Sequence, residues 1–187
     1  MKEIVWLDEP GCEQAASTGG KAANLARLCA LHPVPPGFCL TAAAYARWAD
    51  SVSPEGPFPE ELSQHVGAAY AALAQRSGVA VPVVAVRSSA VDEDGAHASF
   101  AGIYITCLNV RGVDAVLRAI VRCWESARDP RVAAYRQKQG LSAAGVGVLV
   151  QELVTADAAA VVFSKNPATG ASDELVIGTA IEASVPA

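Results

Sequence analysis

Val81–Ser89 reads VPVVAVRSS. Its first six residues, Val81–Val86, are continuously apolar, which predicts a strand that is buried on both faces of a sheet. Pro82 cannot donate a ladder hydrogen bond, so it places the start of the strand toward an edge. The strand is predicted to end at Arg87-Ser88-Ser89, and ligands of sheet proteins often bind at strand ends. The stretch therefore predicts a sheet with a candidate ligand site at the end of this strand.

The segments on either side mix strands with helices. Two apolar runs, Val146–Val154 and Ala158–Ser164, predict adjacent antiparallel strands joined by a turn at 155–157. Thr18 and Thr41 are predicted to cap the first two helices. The remaining predicted strands lie at 3–7, 99–110 and 174–177, and the predicted helices begin near Gly20 and Thr41 or cover Leu62–Leu73, Val113–Ser126 and Pro130–Gln139. Strands and helices do not alternate strictly, so the predicted class is α+β.

Composition limits the classes of function. The 187 residues are 52% hydrophobic and 18% charged, with a formal net charge of −5, which predicts a packed core. The acidic balance and the lack of a basic stripe argue against nucleic acid as a partner. The start lacks the apolar stretch of a signal peptide, and no run approaches the roughly 20 apolar residues of a membrane helix. Five cysteines without CxxC spacing predict a reducing, cytoplasmic setting in which they serve as small apolar core residues.

Thr18-Gly19-Gly20-Lys21 is the first candidate site. Glycines let the backbone approach an anion, a helix N-terminus adds N–H groups and partial positive charge, and Lys21 adds a full charge, which suits a phosphate. The motif is not a Walker A loop, because Ala22 follows the lysine. On these residues alone, a turn followed by a helix start with a solvated lysine is the favoured interpretation.

Arg87 is the second candidate, because an arginine after an apolar strand either pairs with a carboxylate or holds phosphate oxygens bidentately. The acidic residues at 92–94 could simply neutralise it, so both interpretations stay open. Gly102 and Thr106 follow in a strand, where a glycine marks either a plain bulge or a close ligand approach. Gln151 lies in an otherwise apolar strand and either reads an adenine edge or marks the strand leaving the core.

Other catalytic groupings are not predicted. His32, His65 and His97 are scattered, lack metal-ligand spacing and sit in no context that suggests a phosphohistidine. No Ser-His-Asp or Cys-His grouping stands out. The candidate chemistry therefore concerns phosphate and nucleotide binding.

Five stretches occur in an order that resembles the ATP-binding domain of the phosphoenolpyruvate synthase, pyruvate phosphate dikinase and rifampin phosphotransferase family. They are GGKAANLARL (19–28), VPPGFCLTAAAY (34–45), VAVRSSAVDEDGAHASFAGIYITCLNV (84–110), VLVQELV (148–154) and VVFSKNPATG (161–170). The resemblance implies an ATP-grasp fold and makes residues 1–187 the N-terminal portion of that domain. Residues 1–80 form a helical, lysine-bearing part, and residues 81–187 form a mainly β part with two helices.

The resemblance also implies roles for individual residues. Lys21 and Arg87 hold ATP phosphates, Gly102 and Thr106 line the nucleotide site, and Gln151 contacts the adenine side. The hairpin over Ser99–Gly102 resembles the flap that covers the triphosphate. The implied ligands are ATP and Mg²⁺.

The chain departs from the family pattern after Gly178-Thr179-Ala180, where a GLGE segment is expected. The expected magnesium carboxylates, the Gln-x-Arg-Pro strand, the phosphohistidine domain and the acceptor domain are missing, which predicts no turnover by this chain alone. Two alternatives are a non-catalytic interaction module and one half of a split enzyme. An exposed apolar surface around Val176, Ile177 and Ile181 would favour a complementary chain or self-association.

Overall fold

The computed structural model describes residues 2–91, 105–132, 134 and 145–180. Backbone contacts divide the chain into two compact units, Met1–Leu153 and Val154–Ala187. The predicted division at residue 80 concerns the content of helix and strand and stays a prediction. The α+β class is confirmed, because helices flank antiparallel sheets.

The first unit is built on one five-stranded antiparallel sheet. Its strands lie in the order β1-β2-β5-β3-β4 and comprise β1 (Ile4–Trp6), β2 (Gly37–Leu40), β3 (Val83–Ala90), β4 (Thr106–Arg111) and β5 (Val146–Glu152). The helices are α1 (Ala15–Cys29), α2 (Ala42–Trp48), α3 (Glu60–Ser77) and α4 (Val113–Ser126), with a 3₁₀ turn at Ala49–Ser51. Residues 130–132 and 134 are helical, and the rest of the predicted Pro130–Gln139 helix lies outside the described residues.

Each face of the sheet has its own core. On one face, α3 and α4 cover a large cluster that includes Phe38, Val86 and Trp124. On the other face, α1 covers a smaller cluster around Cys39 and Leu149. The apolar spacing of α3 is confirmed, since its predicted inner positions are buried: Leu62, Val66, Ala69 and Leu73. No described helix has both the length and the apolar character that crossing a bilayer requires.

Strand β3 corrects the predicted position of Arg87. The strand continues through Arg87 to Ala90, because its pairing with β5 extends to the Ala90–Val146 pair. Arg87 therefore lies within the strand and not at its end. Pro82 precedes β3, which lies between β5 and β4, so the start of this strand is not at the sheet edge.

Both predicted caps use their hydroxyl groups elsewhere. Thr18 lies inside α1, and its Oγ1 donates to the Cys12 carbonyl at 2.7 Å. Thr41 occupies the N-cap position of α2, but its hydroxyl donates to the Lys2 carbonyl at 3.0 Å and makes no capping bond. The prediction that these two hydroxyl groups cap helices is therefore wrong.

The carboxylate of Glu3, beside β1, contacts side chains of α2 and α3. Its carboxylate accepts hydrogen bonds from Arg47 at 2.7 Å and from the Trp48 indole at 3.2 Å, and it lies 3.5 Å from His65. Burial alone would raise the pKa of Glu3, but the hydrogen bonds from Arg47 and Trp48 outweigh it and hold the pKa below its ordinary value.

The second unit contains an antiparallel pair, β6 (Ala159–Phe163) and β7 (Val176–Ala180). The predicted pairing of the strands at 146–154 and 158–164 is wrong, because β5 pairs with β2 and β3 whereas β6 pairs with β7. Ile177 is exposed as expected, Val176 is half-buried, and Ile181 lies outside the described residues. Further exposed apolar side chains of this pair and its flank are Val161, Val162, Phe163 and Leu175.

Candidate nucleotide-binding face

Helix α1 is kinked at Gly19, which has φ 80° and ψ 165°. A Cβ atom at this position would lie 1.9 Å from the carbonyl oxygen of Ser89 in β3, so only glycine fits. On the neighbouring strand, a Cβ atom at Gly147 would lie 2.4 Å from the carbonyl oxygen of Thr18. The two glycines therefore let the kinked helix approach strands β3 and β5 closely.

Ser89 fixes the helix after the kink. Its Oγ accepts a hydrogen bond from the backbone N–H of Ala22 at 3.1 Å, and Ser89 is fully buried. The helical residues after the kink begin at Gly20, so the Ala22 N–H is among the first-turn donors that a helix cannot satisfy by itself. A strand side chain thus performs the capping that was predicted for Thr18. Lys21 lies in the same first turn and is half-buried.

Arg87, Thr106 and Gln151 lie on the sheet face that α1 packs against. Arg87 is directly opposite Thr106 on β4 and Leu149 on β5, and Leu149 belongs to the cluster under α1. Directly opposed residues share a face, with Cα atoms about 4.5–5.5 Å apart. Gln151 shares this face because it is two residues from Leu149. Four of the five predicted site residues are therefore brought to one side of the sheet.

The two serines after Arg87 point to opposite faces. Ser89 reaches α1, whereas the Oγ of Ser88 lies 3.5 Å from the Oγ of Ser126 in α4. Residue type alone does not distinguish the two serines. The period of two along a strand could have predicted that Ser89 shares the face of Arg87.

Gln151 is 8% exposed, and its side-chain nitrogen donates to the Pro35 carbonyl at 3.0 Å. Next to it, the Glu152 N–H donates to the Pro36 carbonyl at 3.0 Å. A side-chain amide offers two N–H donors and one carbonyl acceptor, and one of these three hydrogen-bonding groups binds the 35–36 segment. The predicted contact between Gln151 and adenine stays a prediction.

The sheet face that α1 packs against is partly exposed where β3 and β4 form it. Thr106 is exposed, Arg87 is half-buried, and Leu108, two residues beyond Thr106, is 58% exposed. Gly102 and the predicted flap at Ser99–Gly102 lie outside the described residues. Arg87, Thr106 and Lys21 thus provide a guanidinium, a hydroxyl and an ammonium group along one side of the sheet.

The described residues do not form a metal site by themselves. No group of three or more His, Cys, Asp or Glu side chains that could hold an ion occurs in the described ranges. Glu174, an acid near the end of the chain, accepts a hydrogen bond from the Asn166 side chain at 2.6 Å in the second unit.

Comparison with known proteins gives a consistent result. The model of the family described as pyruvate phosphate dikinase, AMP/ATP-binding domain, matches residues 51–182. A probable phosphoenolpyruvate synthase of Methanothermobacter thermautotrophicus is 35% identical, covering 96% of this chain and 31% of that protein. The phosphoenolpyruvate synthase of Pyrococcus furiosus is 30% identical, covering 93% of this chain and 29% of that protein.

A relative with a different printed name also matches. The prodigiosin synthesizing transferase PigC of Serratia marcescens is 36% identical, covering 85% of this chain and 19% of that protein. The chain therefore spans between about a fifth and a third of the length of these three relatives.

Proposed function

We propose that this chain is the ATP-binding portion of a dikinase-type phosphotransferase, because it belongs to the family of the pyruvate phosphate dikinase AMP/ATP-binding domain. The observation that carries the proposal is the close contact of Gly19 with Ser89, which sets the first turn after the kink in α1 beside the strand that bears Arg87. The cytoplasm is the compartment that we propose for it. An ATP-grasp arrangement is the fold that we propose for this domain.

The charges suit a triphosphate at one end of an extended ligand. Lys21 supplies a point charge at a helix N-terminus, where the N–H groups and the helix dipole also favour an anion. Arg87 supplies a planar fork that binds phosphate oxygens bidentately. In this proposal, Thr106 hydrogen bonds to the same phosphates and Gly102 lines the site from the adjoining segment.

Gln151 lies farther along the same face. It pairs with Ala85, two residues before Arg87, and two residues span about 7 Å along a strand. Such an offset separates a phosphate end from a base end. We therefore propose that Gln151 contacts the adenine side of the nucleotide.

Magnesium is expected with the nucleotide, since two cationic side chains offset only part of a triphosphate's charge of about −4. When bound, the ion supplies charge neutralisation at the phosphates. The described residues contain no cluster of three or more His, Cys, Asp or Glu side chains that could hold an ion, so we assign no residue of this chain as a magnesium ligand.

Calorimetry tests the nucleotide proposal. Purified chain is titrated with ATP in the presence of Mg²⁺, and Lys21→Ala and Arg87→Ala are each expected to weaken binding. A hydrogen bond to a charged group contributes roughly 1.5–3 kcal/mol, which corresponds to about 10- to 150-fold in affinity. Arg118→Ala is the matched control, because Arg118 is exposed and lies on α4, across the sheet from α1. Equal affinity in the wild type and all three variants would remove the assignment of the phosphate site.

One observation favours an additional interaction role. Strands β6 and β7 carry Val161, Val162 and Ile177 with more than half of their surface exposed. Exposed apolar clusters of this kind mark association surfaces. We therefore propose that the second unit contacts a complementary chain or a second copy. This role is compatible with a non-catalytic module and with one half of a split enzyme.

A further inference from the structure

An open groove lies between the edge strand β4 and helix α4. Its volume is about 710 Å³, and its lining includes Cys107 and three arginines, Arg111, Arg118 and Arg122. All three arginines are exposed, and Cys107 is half-buried. A small oxidant in solution can therefore reach the Cys107 sulfur along a positively charged surface.

Cys123 lies directly beneath Cys107. Its Sγ is 4.0 Å from the Val86 carbonyl oxygen and 3.9 Å from the Ile105 carbonyl oxygen. Val86 is the residue of β3 that pairs with Cys107, and Ile105 is two residues before Cys107. Cys107 shares the sheet face of Val86 and packs against the cluster that contains Cys123, so the two thiols are neighbours between β4 and α4.

The two thiols differ in acidity. The interaction with Cys123 lowers the pKa of Cys107 below its ordinary value, and the charge of Arg122 acts in the same direction against the effect of burial. The same interaction, together with burial, raises the pKa of Cys123. Since the thiolate is the reactive form, Cys107 is the nucleophile of the pair at neutral pH.

The other three cysteines provide an internal comparison, because all five lie within the described ranges. Cys12 and Cys39 are fully buried, and burial raises the pKa of both, to about 12 for Cys12. Burial also raises the pKa of the half-buried Cys29. Cys107 is thus the one cysteine that combines access, a lowered pKa and a thiol partner.

We propose that Cys107 and Cys123 form a peroxide-reactive dithiol that closes into a disulfide between β4 and α4. In the first step the Cys107 thiolate attacks hydrogen peroxide, so that an S–O bond forms, the O–O bond breaks, and the departing hydroxide takes a proton from solvent. The sulfur is oxidised to a sulfenic acid, and the peroxide is reduced.

In the second step the Cys123 sulfur attacks the Cys107 sulfur. The S–S bond forms, the S–O bond breaks, and the departing hydroxide leaves as water with the Cys123 proton. A disulfide joins two sulfur atoms at about 2 Å with Cβ atoms about 3.5–4.5 Å apart, so α4 and β4 must hold the two side chains at that spacing when the bond forms. The second step is the slow one, because Cys123 holds its proton tightly.

The first test measures alkylation of the reduced protein by iodoacetamide, followed at each cysteine by peptide mass spectrometry across pH 5–9. Cys107 is expected to be alkylated faster than Cys29 at neutral pH and with a midpoint below that of an ordinary thiol, because its pKa is lowered whereas the pKa of Cys29 is raised. A rate at Cys107 that rises only above pH 8, as for an ordinary thiol, would overturn the proposal.

The second test treats the protein with hydrogen peroxide and maps disulfides without reduction. The expected product is a Cys107–Cys123 linked peptide pair that is lighter by two hydrogen atoms. In Cys123→Ser the same treatment should leave a sulfenic acid at Cys107 that dimedone traps, whereas Cys29→Ser, the matched control, should behave like the wild type.

Linkage among Cys12, Cys29 and Cys39, linkage between molecules, or an unmodified Cys107 would each contradict the proposal. If Cys123→Ser fails to fold, the wild-type map and the alkylation profile still decide the question. Neither measurement depends on nucleotide binding.

Discussion

Replacing Ser89 with alanine tests how the helix of Lys21 is held against the sheet. Ser89 is fully buried, and the substitution removes the oxygen that accepts the Ala22 N–H at 3.1 Å. The Ala22 N–H is then buried without that partner, which costs roughly 1–3 kcal/mol in the free energy of unfolding. Because Lys21 precedes Ala22 in the same turn, the substitution should also weaken ATP binding.

Ser88→Ala is the matched control, because it removes the same atoms from the adjacent residue. Among the described residues, the Ser88 hydroxyl makes a long contact of 3.5 Å with Ser126, whose own hydroxyl keeps a 2.7 Å bond to the Cys123 carbonyl, and it also meets the Cys123 thiol, a weak hydrogen-bond partner. Its loss should cost less than about 1 kcal/mol. Urea unfolding of both variants measures the difference, and calorimetry measures ATP affinity. If Ser88→Ala destabilises the chain as much as Ser89→Ala does, the capping role of Ser89 is refuted.

Three further predictions concern pH, turnover and association. Because the folded pKa of Glu3 lies below its ordinary value of 4.5, its contribution to stability is present above about pH 4.5 and is lost as pH falls through the folded pKa. Glu3→Gln should therefore flatten the acid limb of urea-unfolding stability, and an unchanged limb would count against the hydrogen-bonded carboxylate. The purified chain with ATP, Mg²⁺ and candidate acceptors should release AMP and phosphate no faster than its Lys21→Ala variant, because the described residues contain no cluster of three or more His, Cys, Asp or Glu side chains to hold the metal ion that neutralises the phosphates. Light scattering should reveal concentration-dependent association that decreases in the double variant Val161→Ser, Ile177→Ser. Leu31→Ser is the control and should leave the association unchanged, since Leu31 is 78% exposed at a different place, after the end of α1. A chain that stays monomeric at high concentration would refute the association.

Patterns within single segments were sufficient for much of the fold. The spacing of Leu62, Val66 and Leu73 predicted a helix that the structure has as Glu60–Ser77, and Val113–Ser126 was predicted with the observed bounds. The order of motifs identified the family, and the prediction that the chain belongs to it is confirmed. These features are local, since helical period, turn residues and motif order depend on neighbours in sequence.

The candidate site was predicted as a set of residues and not as an arrangement. Lys21, Arg87, Thr106 and Gln151 were named from their residue types and from the resemblance, but their placement on one face follows from the pairing of β3 with β4 and β5. The pairing of the strands at 146–154 and 158–164 was predicted wrongly, because a short turn between two apolar runs favours a hairpin in any local interpretation.

The sequence by itself determined the α+β class, most helices, and the residue types that a nucleotide site requires. Only the tertiary structure decided that Ser89, and not Thr18, caps the helix of Lys21, and that Cys107 meets Cys123 across β4 and α4. The physical reason is the same in both cases. A buried donor or thiol takes the partner that folding brings within hydrogen-bond distance, and for Ala22 that partner is 67 residues away. The sequence around a residue determines its preference for helix or strand. The identity of a distant partner depends instead on how the strands are ordered in the sheet.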